Sequence, residues 1–324
     1  MTHAIQIYET GGPEVMKWEE VEVGEPGEGQ VKLRQSAVGL NYIDVYFRTG
    51  TYPQEHLPFT PGMEGAGEVI GVGKGVTHVK PGDRVAYAGA IGAYAEERIV
   101  PADRILMLPD GIDEQTGAAM MLKGMTAAYL LLRTYKVGPG TTLLFHAAAG
   151  GVGLIVCQWA KHLGATMIGT VSSDEKGELA RAHGCTHTIN YTTEDFVARV
   201  KEITDGKRCD VVYDSVGKDT FPASLDCLKP FGLWATFGQS SGPLPDLNLG
   251  MLAQKGSLYV TRPGLFPHIA KRSDLEELSG ALFDVVSNGA VKIEINQSYQ
   301  LRDAVQAHKD LEARKTTGST VLLT

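Results

Sequence analysis

The stretch from Leu143 to Leu154 constrains the fold of this chain more than any other part of its sequence. It reads LLFHAAAGGVGL, an apolar strand that passes through small residues into an apolar helix. Gly150 and Gly151 would let the backbone approach a pyrophosphate, and Gly153 would let the helix pack closely on the strand. The first N–H groups of such a helix favour an anion. The spacing, Ala-x-x-Gly-x-x-Gly from residue 147, lacks one glycine of the usual dinucleotide fingerprint, so other features must support the assignment.

Length and composition limit the classes of protein that fit. A chain of 324 residues predicts two domains, and 43% hydrophobic with 21% charged residues is typical of a globular protein. No apolar stretch reaches the roughly 18 residues that span a bilayer, and residues 1–8 read as a strand, not a signal peptide. We therefore expect a cytoplasmic protein. The net charge of −8 argues against general nucleic-acid binding.

The cysteines predict neither a zinc knuckle nor a disulfide framework. The four, Cys157, Cys185, Cys209 and Cys227, all lie in the second half, and none forms a Cys-x-x-Cys pair. We expect reduced thiols in a cytosolic protein.

Residues up to about 122 read as short strands separated by glycine and proline turns, which indicates a partly closed β structure. The predicted strands are 4–7, 30–36, 68–72, 84–87 and 95–99.

From about 123 strands alternate with helices, which predicts a doubly wound parallel sheet with right-handed crossovers. Ser172 or Ser173 is the expected N-cap of the second helix. The predicted strands are 142–145, 166–171, 187–190, 209–214, 232–237 and 257–260, the last three buried, and the predicted helices are 152–162, 174–183 and 194–203.

Later elements exceed what a six-stranded nucleotide fold needs, so we expect them to return to the first domain. They are a helix at about 268–287, a strand near 292–295, a helix near 302–312 and a strand at 320–323.

Several motifs agree with one family: GLNYID at 39–44, PGMEGAG at 61–67, LKGMT at 122–126, the turn at 147–153, VYDSVG at 212–217 and TRP at 261–263. With them the whole chain resembles the zinc-free NADPH:quinone oxidoreductases, the zeta-crystallin-like branch of the medium-chain dehydrogenase/reductase superfamily. The resemblance implies an α/β protein with a cleft between two domains. These are a GroES-like β-rich catalytic domain, 1–122 and 267–324, and a Rossmann cofactor-binding domain, 123–266.

The same superfamily includes alcohol dehydrogenases that hold catalytic zinc with Cys, His and Cys. The matching positions here are Asn41, Met63 and Lys123, none of which is such a ligand, and no cysteine precedes Cys157 to form a structural zinc loop. We therefore expect no metal. Without a Lewis acid the substrate must accept hydride readily, as a quinone does, or failing that an activated enone.

The second predicted strand of the cofactor domain ends without the acidic residue that binds the ribose 2′-hydroxyl in NAD-selective folds. Ser172 and Lys176 offer a donor and a cation for a 2′-phosphate, and the resemblance adds Tyr191. We therefore expect NADPH. Alternatively, Ser172 and Ser173 only cap the helix and Lys176 is a solvated charge, and Asp174 would repel a phosphate if it pointed inward.

The resemblance implies further cofactor contacts. They are Asn41, Tyr42 and Ile43 at the nicotinamide ribose; Thr126 and Tyr129 near the nicotinamide or phosphates; Ala148, Gly150, Gly151 and Val152 in the turn; Val216, Phe237, Gly238, Ser240, Val260 and Arg262 at later strand ends; and Arg314 from the C-terminal segment.

Candidate groups for the chemistry are Asn41, Tyr46 and Tyr52. Either tyrosine would donate to a quinone oxygen or stack on its ring, or both only line an apolar wall. Asp44 is a candidate cap of the following helical turn. Lys123 is a candidate to tie Asn41 or a cofactor hydroxyl in place. Water can supply the protons of a hydroquinone, so a dedicated acid is not required.

Two rival functions stay open. One is an enone or 2-alkenal reductase of the same fold; the other is a crystallin-like or RNA-binding role without catalysis, against which the acidic balance counts. We expect a quinone as small-molecule substrate. The resemblance implies a homodimer that pairs through strands of the cofactor domain, and the β-rich segment 257–261 would form such an edge strand. The alternative is that this segment is a covered internal strand.

Overall fold

A computed structural model describes all 324 residues, which divide into two compact units. The first contains Met1–Met125, His268–Ser287 and Ile293–Thr324, and the second contains Thr126–Pro267 and Asn288–Lys292. The sequence did not predict that 288–292 would pack with the second unit.

Fifteen strands are present: β1 (Thr2–Ile7), β2 (Met16–Val21), β3 (Gln30–Leu40), β4 (Glu64–Val72), β5 (Arg84–Ala88), β6 (Glu97–Pro101), β7 (Ile105–Met107), β8 (Thr142–Phe145), β9 (Thr166–Val171), β10 (His187–Asn190), β11 (Cys209–Asp214), β12 (Leu228–Thr236), β13 (Tyr259–Thr261), β14 (Ile295–Gln300) and β15 (Ser319–Leu323). The α-helices are α1 (Tyr42–Arg48), α2 (Glu114–Tyr129), α3 (Gly151–His162), α4 (Asp174–Ala182), α5 (Phe196–Ile203), α6 (Ala223–Asp226), α7 (Leu249–Gln254), α8 (Leu265–His268), α9 (Arg272–Ser287) and α10 (Ala304–Glu312). None of them has both the length and the apolarity needed to cross a bilayer.

The first unit is built on a seven-stranded sheet in the order β14-β15-β3-β4-β5-β7, with β6 also paired to β3. Alternate residues of β3 point into its core: Val31 and Leu33 have no exposed surface, as the two-residue period of a strand requires. β15 pairs antiparallel with β3, so the late strands do return to the first unit.

The second unit carries a parallel six-stranded sheet in the order β10-β9-β8-β11-β12-β13. Counted within the unit this is 3-2-1-4-5-6, the order of a Rossmann fold. The central strand β8 has the sequence TLLF with three fully buried apolar residues, because helices cover both faces of such a sheet. The predicted α/β fold with a Rossmann sheet is confirmed.

Two predicted elements were wrong in type or burial. The strand-and-turn prediction up to 122 missed α2, whose apolar residues run almost all round the helix and leave no clear helical period. The strand predicted as buried at 257–260 is β13 at the edge of the parallel sheet, where Tyr259 is 62% exposed, so the expectation of an edge strand in this segment is the one confirmed.

Two C-terminal elements were misplaced. The predicted helix 268–287 is two helices, α8 and α9. The strand predicted near 292–295 is β14, at the end of the sheet. Its sequence, INQSYQ, carries little apolar signal because an edge strand is only half-buried.

Candidate active site

The turn after β8 leads directly into α3 and leaves its first N–H groups available. Gly150 is the N-cap and has no side chain to occupy those donors, and the first turn contains no acidic residue. Ala147 adopts a φ of 60°, a left-handed conformation that turns the chain sharply. The N-terminus of α3 can therefore accept an anionic group.

Gly153 and Gly238 have no room for a side chain. A Cβ at Gly153 would lie 2.5 Å from the carbonyl oxygens of Ala147 and Ala148, and one at Gly238 would lie 2.7 Å from the carbonyl oxygen of Ser215. The helix therefore packs on the turn at backbone distance, as a dinucleotide-binding crossover requires. These features of the predicted cradle fit a dinucleotide.

The residues predicted to select the nicotinamide cofactor lie at the ends of two adjacent strands. Ser173 is the N-cap of α4 and its Oγ accepts from the Lys176 N–H at 3.3 Å, so Ser172 is not the cap. Asp174 is exposed and accepts a hydrogen bond from the Asn190 side chain at 2.9 Å. Tyr191 follows β10, and its N–H donates to the carbonyl at the end of β9, which brings it to the same edge as Ser172.

Contacts within this unit hold several of the other predicted cofactor residues. The ring of Phe237 lies 5.7 Å from that of Phe145. The guanidinium of Arg262 donates to the Thr236 hydroxyl at 3.1 Å and to the Gly238 carbonyl at 3.0 Å, which ties the end of β13 to the end of β12. Thr126 and Tyr129 are buried in α2, Val260 is half-buried in β13, and Ser240 donates its N–H to the Ser215 carbonyl.

Asp214, at the end of β11, accepts hydrogen bonds on both carboxylate oxygens. Its Oδ1 accepts the N–H groups of Val216 at 2.9 Å and Gly217 at 3.1 Å. Its Oδ2 accepts from Thr220 at 2.7 Å, Ser224 at 3.1 Å and Trp234 at 3.3 Å. Burial alone would raise the pKa of Asp214, but His146, Thr220 and the two backbone N–H groups outweigh it and hold the pKa below its usual value.

His146, the residue before the predicted cofactor turn, connects this carboxylate to the end of β9. Its two ring nitrogens lie 2.9 Å from the Thr170 hydroxyl and 3.0 Å from the Ser224 hydroxyl, which in turn donates to Asp214. Burial lowers the pKa of His146, although the charge of Asp214 opposes the shift. The ends of β8, β9 and β11 are thereby joined under the residues predicted to bind the cofactor.

In the first unit, Glu64 is the centre of a buried cluster that the sequence analysis missed. Its Oε1 accepts from the Asn41 side chain at 2.7 Å and from the Lys123 ammonium at 2.6 Å, and its Oε2 accepts the Leu122 N–H at 2.7 Å. Lys123 is therefore linked to Asn41 through Glu64. A Cβ at Gly39 would lie 2.2 Å from Glu64 Oε1, so the glycine of the GLNYID motif makes room for this carboxylate.

Asp44 caps α1, as the sequence suggested. Its Oδ2 accepts the Asn41 N–H at 2.9 Å and the Tyr94 hydroxyl at 3.1 Å. Its Oδ1 is buried and has no hydrogen-bond partner. Burial raises the pKa of Asp44 to about 7, although both hydrogen bonds and Lys123 oppose the shift, while the charge of Glu64 adds to it.

The two candidate tyrosines belong to an aromatic cluster on α1 and the turn after it. Tyr46 contacts Tyr42 and Tyr52 edge to face, with ring centroids 5.4 and 5.1 Å apart, and Phe47 lies 5.8 Å from Tyr52. Tyr42, Ile43, Tyr46 and Tyr52 are all half-buried. Whether the hydroxyls donate to a substrate or only line a wall stays a prediction.

Arg314, predicted from the C-terminal segment, is exposed and has a φ of 58°. Burial and the charge of Glu312 raise the pKa of Tyr42. The charges of Arg314 and Arg48 act in the opposite direction and offset part of that rise. The C-terminal segment and the start of α1 are therefore electrostatically coupled, although more than 260 residues separate Tyr42 from Arg314.

No group of three or more His, Cys, Asp or Glu side chains is arranged to hold a metal ion. Three positions match zinc ligands in the alcohol dehydrogenases. At two of them, Asn41 and Lys123 both contact Glu64, and at the third Met63 is buried and precedes Glu64 in the chain. All four cysteines are buried and unbridged.

Comparison with known proteins gives matches along the whole chain. Residues 27–110 match the model for the alcohol dehydrogenase GroES-like domain, and residues 151–265 match that for zinc-binding dehydrogenase. A quinone oxidoreductase of Pseudomonas aeruginosa is 54% identical over 100% of both chains. The crystal structure of Escherichia coli quinone oxidoreductase complexed with NADPH has a TM-score of 0.98 and 49% identity, over 99% of this chain and 100% of that one. A 2-haloacrylate reductase of a Burkholderia species is 48% identical over 100% of this chain and 99% of its own.

Proposed function

The chain belongs to the quinone oxidoreductases of the medium-chain dehydrogenase/reductase superfamily, and from this premise we propose that it reduces quinones with NADPH. The observation that carries the proposal is the full-length identity to quinone oxidoreductases, one of which has the same fold and a bound NADPH. The chain is an NADPH-dependent oxidoreductase.

The second unit carries the residues that would hold NADPH, which supplies a hydride when bound. The N-terminus of α3 would receive the pyrophosphate, since Gly150 leaves its N–H groups open. Ser172, Lys176 and Tyr191 would receive the 2′-phosphate, and the Asp174 carboxylate is engaged with Asn190. Phe237, Gly238 and Arg262 would support the cofactor at the ends of β12 and β13.

Residues of the first unit would bind the substrate end. A quinone takes up one hydride and one proton in forming the hydroquinone, so negative charge develops on an oxygen before protonation. Tyr46 and Tyr52 would donate hydrogen bonds to that oxygen, and water would supply the proton. Reaction without zinc is part of the proposal. It rests on the residue types at Asn41, Met63 and Lys123, which do not form a zinc site.

A second candidate function is reduction of an activated alkene. One relative, 48% identical over the full chain, is named a 2-haloacrylate reductase, and a haloacrylate carries a polarised carbon–carbon double bond. The same hydride donor and the same hydrogen-bond donors would serve that reaction. A homodimer paired through β13 and a cytoplasmic location complete the proposal, with the exposed Tyr259 of this edge strand in support of the dimer.

Steady-state oxidation of NADPH and NADH, with 1,4-benzoquinone, 9,10-phenanthrenequinone and 2-hexenal as acceptors, tests the function. We expect rapid loss of NADPH with a quinone, slow loss of NADH and no effect of a chelator. Faster turnover of the enal would favour the alkene reductase instead. Lys176→Ala is expected to raise KM for NADPH about tenfold, as loss of one charge-assisted hydrogen bond predicts, and to leave KM for NADH unchanged. Lys161→Ala, a surface lysine on α3, is the control.

A further inference from the structure

A chain of hydrogen bonds crosses the interior of the first unit from α10 to α1. Arg48 is 1% exposed, and its guanidinium forms a two-point ion pair with Glu312 at 2.9 and 2.8 Å. The same guanidinium lies 3.0 Å from His308 Nδ1. His308 Nε2 lies 3.1 Å from the Tyr94 hydroxyl, which is 3.1 Å from Asp44 Oδ2.

The donors and acceptors in this chain can be arranged in one direction only. A guanidinium has no acceptor, so Arg48 donates and His308 Nδ1 accepts. Burial and the charge of Arg48 lower the pKa of His308 to about 3, so the ring is neutral and its one proton sits on Nε2. Nε2–H then donates to the Tyr94 oxygen, and the Tyr94 hydroxyl donates to Asp44. Arg48 therefore fixes the His308 tautomer and aims the Tyr94 proton at Asp44.

The chain joins two segments that are predicted to meet the same part of the cofactor. At one end Asp44 accepts the Asn41 N–H. This hydrogen bond fixes the start of α1, where Asn41, Tyr42 and Ile43 lie. At the other end Glu312 closes α10, two residues before Arg314. Other charged groups close to Asp44 are Glu64 of β4, which accepts from the Asn41 side chain, and Lys123 of α2, which donates to Glu64.

We propose that Tyr94 and His308 are positioning residues for NADPH binding, holding residues 41–43 in the orientation that meets the nicotinamide ribose. This inference rests on the proposed function, which places 41–43 at that ribose. Neither residue is predicted to touch the cofactor. Each acts through Asp44 on the backbone of Asn41. Because Arg48 sets the direction of the hydrogen bonds, the proton on His308 Nε2 is required to orient the Tyr94 hydroxyl toward Asp44.

The test measures the dissociation constant of NADPH by fluorescence titration, together with kcat at saturating NADPH. Tyr94→Phe removes the hydroxyl, and His308→Leu removes both ring nitrogens. We expect each to raise the dissociation constant about tenfold, the effect of losing one hydrogen bond to a charged group, with kcat changed less than about threefold. His308→Gln supplies an acceptor for Arg48 and a donor for Tyr94 in one side chain, so it should restore most of the binding.

Tyr87→Phe is the matched control, because Tyr87 is a fully buried tyrosine of the same unit whose hydroxyl contacts Gln35 and Arg98 instead. It should lower the melting temperature about as much as Tyr94→Phe and leave NADPH binding intact. Equal binding by Tyr94→Phe and Tyr87→Phe, or equal loss in His308→Gln and His308→Leu, would overturn the inference. Asn41→Ala distinguishes failure of this inference from failure of the proposed function. If this variant binds NADPH like the wild type, the proposed placement of residues 41–43 at the nicotinamide ribose is itself wrong.

Discussion

Asp44 in the first unit and Asp214 in the second are both buried beside residues predicted to bind NADPH, yet their pKa values move in opposite directions. Asp44 has two donors on one oxygen and none on the other, and burial raises its pKa to about 7. Asp214 has five donors spread over both oxygens, and the neighbouring His146 together with these donors lowers its pKa. Neighbouring charges and the number of donors together decide in which direction the pKa of a buried carboxylate moves.

The surroundings of the two aspartates also differ in kind. Around Asp44 the neighbours include full charges: Glu64 with Lys123, and Arg48 with Glu312. Around Asp214 the partners are neutral hydroxyl, indole and backbone groups. Removal of one partner should therefore be costly in the first unit, where it leaves a charge unpaired, and modest in the second.

The largest expected effect comes from Glu64→Gln. This change leaves the Lys123 ammonium, which is 7% exposed, without its carboxylate and weakens the hold on Asn41. We expect a loss of about 3–5 kcal/mol in the free energy of unfolding, measured by urea denaturation at pH 7. The double variant Glu64→Leu, Lys123→Leu should recover much of that stability. A single variant as stable as wild type would show that the charges in the first unit are not interdependent.

The pair Asp214→Asn and Asp44→Asn tests the comparison directly at pH 8. An amide at 214 turns an NH₂ group toward groups that already donate, so we expect a loss of about 3 kcal/mol. An amide at 44 keeps an acceptor for Asn41 and Tyr94 and removes a buried charge, so stability should stay within about 1 kcal/mol of wild type or rise. Urea denaturation measures both. Equal losses in the two variants would contradict the argument from donor number.

The pH dependence of stability should separate the two carboxylates. Asp44 has a raised pKa in the folded state, so its contribution is full below the unfolded value of about 3.9 and is lost as pH rises toward 7. Asp214 has a lowered pKa, so its contribution is present above the unfolded value and is lost as pH falls. Unfolding free energies at pH 5 and pH 8 should show a decline with pH that Asp44→Asn removes. If the unfolding free energy of Asp44→Asn declines with pH as much as that of the wild type, groups other than Asp44 cause the decline.

The smallest expected effect is that of Thr220→Val. It removes one neutral donor, at 2.7 Å, from Asp214 while four others remain. We expect a loss of about 1 kcal/mol at pH 7 and a shift of the acid-unfolding midpoint to higher pH, because the pKa of Asp214 rises. Thermal denaturation as a function of pH measures both. If Thr220→Val lost as much unfolding free energy as Glu64→Gln, the proposed difference between the charged surroundings of Asp44 and the neutral donors of Asp214 would be wrong.

Local patterns predicted the Rossmann sheet well and the first unit less well. Strands at 142–145, 166–171, 187–190 and 209–214 have the predicted bounds. For the central strand β8 the reason is that a parallel strand covered on both faces is a short, continuous apolar run. The helix α2 and the edge strands β13 and β14 were missed or misjudged. Their sequences lack a clear period, since α2 is buried almost all round and edge strands are half-exposed.

The candidate site shows the same limit. The spacing of Gly150 and Gly153 predicts a cofactor turn because such a turn depends on the backbone of a few consecutive residues, and the structure leaves no room for a side chain at Gly153. Glu64 stood in a recognised motif without a role, and His308 and Tyr94 were not noticed. Their roles depend on partners 59 and 214 residues away, which no local pattern contains.

By itself the sequence determined the class of fold, the tight glycine turn into α3 and the absence of zinc-ligand residue types at Asn41, Met63 and Lys123, because each depends on residue identity or local spacing. Tertiary structure alone decided which buried charges meet and in which state they remain. It brought Glu64 to Lys123 and Asn41, and Arg48 to His308, and it gave Asp214 five donors but Asp44 only two. The reason is that the energy of a buried polar group is set by its neighbours in space, and those neighbours come from distant strands and helices.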